Sequence, residues 1–161
     1  LLIQPKAPVY AIIFDKSTGQ LTNELTQEIC CNYSTTLQFF LQKGLERRYR
    51  SREFTKRVDV FAVELAHRCS NLKLLAIRER MCFASALLLA QIARSHQTTI
   101  CLRRNALLKR VRSLIHYSFF KDNQKWIKGH CKNFEILENT IRNITGTTAT
   151  IVTDNRYMYS F

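Results

Sequence analysis

The sequence predicts an α+β fold, predominantly α, with about five helices in a bundle and a small sheet formed by an N-terminal strand and a C-terminal hairpin. Three observations predict it. Leu, Ala, Arg, Lys and Gln are plentiful while only four glycines and two prolines occur, a composition that favours helix over a loop-rich all-β chain. Apolar residues recur at helical spacing through the middle of the chain. The two ends carry β-branched and aromatic runs. With 161 residues, 46 % of them apolar, the chain reads as a single domain over 1–161 with its own core.

The first element is a strand over 8–15, "PVYAIIFD". Its weak alternation implies burial on both faces. A helix follows over about 22–46, with Leu25, Ile29, Tyr33, Leu37, Phe40 and Leu41 on its stripe and Thr22 or Asn23 as its cap. The next helix, 52–69, carries Phe54, Val58, Phe61, Leu65 and Cys69 on one face, with Ser51 as cap. The helix over 71–95, capped by Ser70 or Asn71, is apolar nearly all round in its second half, "MCFASALLLAQIA", and should be the most buried. This run ends at Arg94 and is too short to span a bilayer, which takes roughly 20 residues.

Two further helices are expected over 101–119 and 123–145. Leu107, Leu108, Val111, Leu114 and Ile115 share a face of the first. Asp122 should start the second, and Gly146 stands where a helix-ending glycine belongs. Residues 147–161, "TTATIVTDNRYMYSF", read as a hairpin turning at Asp154-Asn155. Pairing it with the N-terminal strand would remove two bare edges.

Charge is the strongest functional signal. The net charge is +13, and segments 43–57 and 94–132 carry +5 and +9 of it. Charge gathered in this way suits an anion-binding surface. The candidate nucleic-acid contacts are Arg47, Arg48, Arg50, Arg52 and Arg57, then Arg103, Arg104, Lys109, Arg110 and Arg112, then Lys121, Lys125, Lys128 and Lys132. Arginine's planar fork bonds two phosphate oxygens, and helical spacing puts the four lysines along one side. Tyr49, Tyr117 and Trp126 are candidate base-stacking residues, each with an equal claim to the core.

Catalytic and metal motifs are lacking. The glycines stand singly at 19, 44, 129 and 146, so there is no phosphate loop, and no G-x-S-x-G or H-E-x-x-H occurs. His67-Arg68-Cys69 and His130-Cys131 lack zinc-site spacing, and the E-x-x-H of Glu64 and His67 has no second copy. Asp15 and Asp154 would form a carboxylate pair for a Mg²⁺-dependent nuclease only if the chain ends pair as expected. No cofactor or metal is expected.

Six cysteines (30, 31, 69, 82, 101, 131) fall mostly inside apolar patterns, which points to buried thiols and a reducing compartment. The sequons at Asn32 and Asn143 point the other way. The chain opens "LLIQPKAP" without Met, which is compatible with a removed targeting peptide.

The expected function is a non-enzymatic subunit of a larger nucleoprotein assembly, intracellular and nuclear before mitochondrial or secreted. Its Arg/Lys faces would meet a nucleic-acid backbone with little sequence specificity. The alternative is a protein–protein interaction module that docks an acidic or apolar partner through Tyr157, Tyr159 and Phe161 or an apolar helix face. A secreted helical-bundle ligand is third.

Overall fold

The first and last strands of the main sheet lie at its opposite edges. The computed structural model describes residues 7–15, 21–43, 57–109, 122–158 and 160. Its elements in chain order are β1 (Ala11–Asp15), α1 (Asn23–Tyr33), β2 (Phe39–Lys43), α2 (Asp59–Arg68), β3 (Leu74–Ile77), β4 (Met81–Cys82), α3 (Phe83–His96), β5 (Thr99–Arg103), a 3-10 turn (Arg104–Ala106), β6 (Leu107–Leu108), α4 (Gln124–His130), α5 (Phe134–Thr145), β7 (Ala149–Val152) and α6 (Asp154–Met158). Five strands form one parallel sheet in the order β1-β2-β3-β5-β7, and β4 pairs with β6 in a second, two-stranded parallel sheet.

The fold is therefore α/β, and the expected bundle with a small terminal sheet is overturned. The expected helix over 22–46 ends at Tyr33 and gives way to β2. The helix over 71–95 holds β3 and β4 before α3 begins. The helix over 101–119 is replaced, across its described part, by the end of β5, the 3-10 turn and β6. The expected hairpin is β7 followed by α6, with β7 parallel to β5. The physical reason is shared. Parallel strands are buried on both faces and show no alternation, so "FFLQ" and "LLAI" merge with the helical patterns beside them.

Some expectations match. β1 lies within 8–15, and Thr22 caps α1 by accepting from the Leu25 amide at 3.2 Å. Val58, Phe61, Leu65 and Cys69 are all buried, and α3 is buried nearly all round. The 123–145 helix is broken into α4 and α5. Asn133, not Asp122, caps the longer piece, accepting from the Ile136 amide at 2.9 Å. Gly146 closes α5 with φ 62°, a left-handed conformation that glycine adopts without strain.

Chain order and sheet order are the same. A right-handed crossover that always steps to the same side puts every helix on one face. The core follows this rule. Ile12, Phe40, Leu75, Ile100 and Ala149 stand in one row across the sheet. They pack with Ile29 and Tyr33 of α1, Phe61 and Leu65 of α2, Leu87 and Ala90 of α3, and Leu137 and Ile141 of α5. The next row, Leu41, Ala76 and Cys101, faces the other way and meets Tyr157 of α6. On that second face Ile13 and Phe39 remain exposed.

Phe40 is fully buried, with its ring centroid 5.0 Å from that of Phe61 and 5.7 Å from that of Phe14. It locks β2 to both β1 and α2. Replacement by alanine, Phe40→Ala, should cost about 3–5 kcal/mol, read as a fall in the denaturant midpoint with an unchanged slope.

Candidate anion-binding edge

In a parallel α/β sheet, ligands bind beyond the carboxyl ends of the strands. Here those ends are charged. β1 ends at Asp15, β2 at Lys43, β3 leads into Arg78-Glu79-Arg80, and β5 ends at Arg103 followed by Arg104. Register places Asp15 beside Lys43, and Arg103 beside Val152.

Much of this charge is bound into the fold. Arg57 and Asp59 form a two-pronged pair, Nε–Oδ2 at 2.7 Å and Nη2–Oδ1 at 2.9 Å. The Cys82 amide donates to the same carboxylate at 2.8 Å. Burial alone would raise the Asp59 carboxyl, but the Arg57 guanidinium and the Cys82 amide outweigh it, so the group is held below its ordinary value. Arg78 is buried. Its Nη2 donates to Glu79 at 2.9 Å, its Nη1 to the Lys43 carbonyl at 3.2 Å, and its amide to Gln42 Oε1 at 3.0 Å. Arg103, also buried, pairs with Asp154 at 3.5 Å, and Asn105 donates to the same carboxylate at 3.0 Å.

Tyr157 completes this end. It is 1 % exposed, and its hydroxyl donates to the Gln42 carbonyl at 2.9 Å. It is thus a core residue pinned under β2. Tyr159 and Phe161 lie outside the described residues.

The remaining predicted cations separate into two groups. Arg104, Lys109, Lys125, Lys128 and Lys132 are exposed. The Arg104 guanidinium lies 4.4 Å from the centroid of the Phe134 ring, the first residue of α5, which brings Arg104 close to the Lys132 region. Arg47, Arg48, Arg50, Arg52, Arg110, Arg112 and Lys121 lie outside the described residues, as do Tyr49 and Tyr117. Trp126 is half-buried against the core, its ring 4.9 Å from that of His130.

The carboxylate pair is overturned. Asp15 ends β1 and Asp154 follows β7, the two opposite edges of the sheet, about 19 Å apart at ~4.8 Å per strand. No group of three or more metal-ligating side chains occurs among the described residues. Glu64 is half-buried and His67 exposed. His130 Nδ1 faces the Trp126 carbonyl at 2.7 Å, and burial pushes the adjacent Cys131 thiol up to about 12, so that pair is structural.

All six cysteines are thiols, with only Cys31 exposed. Arg68 Nη2 lies 3.8 Å from Cys31 Sγ, a cation that sequence spacing alone does not place there. Among the described residues, no helix is long and apolar enough to cross a membrane.

Reading the sequence as helix hid Gln42, Arg78 and Glu79. The signal that marks Arg78 and Glu79 is an apolar run ending in charge, "LLAIRER", which is how a buried parallel strand leaves its sheet. No protein-family model, curated protein or solved structure matches the chain.

Asp59→Ala should destabilise the protein by about 3–5 kcal/mol, because it removes the buried carboxylate that accepts from both Arg57 and the Cys82 amide. The lowered Asp59 value sets the sign of the acid response. Its contribution is present above the unfolded carboxyl's value near 4 and is lost as pH falls through the folded value. Urea midpoints measured against pH should fall there in the native chain and stay flatter in the variant. Burial raises the Tyr157 hydroxyl well above its ordinary value. Its contribution is complete below about pH 10 and is lost as pH rises towards the folded value. Ultraviolet titration of the native protein should therefore show one tyrosine that ionises only on unfolding.

Proposed function

We propose that the protein is a non-enzymatic anion-binding subunit that holds a nucleic-acid backbone against the carboxyl edge of its sheet. One observation carries this reading. Arg104, Lys109, Lys125, Lys128 and Lys132 are all exposed, and the Arg104–Phe134 contact puts Arg104 at the start of α5, two residues beyond Lys132 in the chain. Arg57, Arg78 and Arg103 are already engaged by Asp59, Glu79 and Asp154, so binding falls to the exposed set.

Such contacts read phosphate and not base, so affinity should vary little with sequence and fall steeply with salt. Each cation that meets a phosphate adds about 0.9 to the log–log salt slope on duplex DNA and about 0.7 on a single strand. The combined variant Arg104→Gln, Lys128→Gln, Lys132→Gln should therefore lower the slope by about 2–3. Fluorescence anisotropy with a labelled duplex and a labelled single strand, over a salt series, measures this. An affinity indifferent to salt, or no binding at low salt, refutes the reading.

A further inference from the structure

We infer that the free edge of β7 is a docking slot for an extended acidic peptide, which adds to the sheet as its next strand. β7 ends the sheet, and among the described residues nothing pairs with its outer side. The Ile100 amide donates to the Thr148 carbonyl at 2.8 Å. In a parallel ladder each residue points its N–H and C=O to one side and the next residue points the other way. Thr148, Thr150 and Val152 therefore address β5, while the backbone groups of Ala149 and Ile151 face outward. An edge of this kind invites strand addition.

The slot has two walls and a shape. A groove of about 590 Å³ runs along β7, lined by Glu138, Ile141 and Arg142 of α5 on one side and Arg156 of α6 on the other, so one carboxylate stands against two guanidinium groups. α5 belongs to the helix-covered face of the sheet and α6 to the opposite face. A strand laid here enters between two layers, as parallel strands require. The first β-strand, at the other edge, has Ala11, Ile13 and Asp15 exposed.

The chemistry of the occupant follows from the walls. Alternate side chains of the added strand face Ile141 and Ile151, which favours aliphatic residues. The others face Arg156, which is exposed and has no ion pair among the described residues. Arg142 at the rim is 67 % exposed and held only loosely by Glu138, at 3.6 Å. An extended segment alternating aliphatic and acidic residues satisfies the backbone edge and both walls. This site is separate from the exposed cations around Arg104.

The probe is a labelled peptide of alternating Val and Glu, with a Val/Lys peptide as control. Amide exchange of the native protein should show Ala149 and Ile151 slowing when the Val/Glu peptide is added. Arg156→Glu should weaken binding about tenfold. Ala149→Pro should abolish binding while thermal unfolding stays near native, since proline is tolerated where the N–H faces outward. Should Ala149→Pro fail to fold, the exchange measurement on the native chain still decides. The inference is overturned if Ala149 and Ile151 gain no protection at millimolar peptide, or if the Val/Lys peptide binds as well. It is equally overturned if sedimentation shows self-association that protects these amides without peptide, or if an oligonucleotide displaces the peptide.

Discussion

Everything in this molecule depends on the way each strand hands the chain to the next. The strands join the sheet in chain order and in parallel, so each crossover must travel the full length of the sheet and return on the same face. The helices therefore stack as one layer over Ile12, Phe40, Leu75 and Ile100. Among the described residues the opposite face receives α6, whose Tyr157 seals one end. The two edge strands and the second face with its exposed Ile13 and Phe39 follow from this regularity. A sheet wound in both directions would have helices on both sides.

The same constraint sends the turns that follow the main strands to one end of the sheet, and the chain spends its buried charge there. Arg57 with Asp59, Arg78 with Glu79, and Arg103 with Asp154 each sit where a strand or helix begins or ends. Buried pairs of this kind add little net stability over apolar packing, but they penalise any register that separates them. Asp59 shows this most clearly. One carboxylate holds Arg57 and the amide that starts α3, joining α2 to β4. Gln42 serves similarly, accepting from the Arg78 amide through its side chain and from Tyr157 through its carbonyl. The polar ties keep the carboxyl edge in register, while Arg104, Lys109, Lys125, Lys128 and Lys132 stay exposed.

Local signals in the chain were readable wherever a residue's role depends on its immediate neighbours. Thr22 as a cap, Gly146 as a helix end, the Phe61–Leu65–Cys69 face and the burial of α3 were all visible as patterns a few residues long. So was the concentration of positive charge in 43–57 and 94–132. The short strands were not. "FFLQK" and "LLAI" are apolar runs of four or five residues, and once both faces are buried the alternation that marks a strand disappears.

What the sequence by itself determined is therefore the core composition, the Thr22 cap, the Gly146 helix end and the places where cations accumulate, because propensity, capping and charge act over one or two turns of chain. Only the tertiary structure decided which cations are available, since Arg103 and Arg104 are neighbours in sequence yet one is buried against Asp154 and the other lies open over Phe134. It also decided that Asp15 and Asp154 stand at opposite edges and that Tyr157 lies beneath β2. Those outcomes rest on pairings between residues tens of positions apart. No local preference encodes them, because the free energy that selects them appears only when the sheet has closed over its helices.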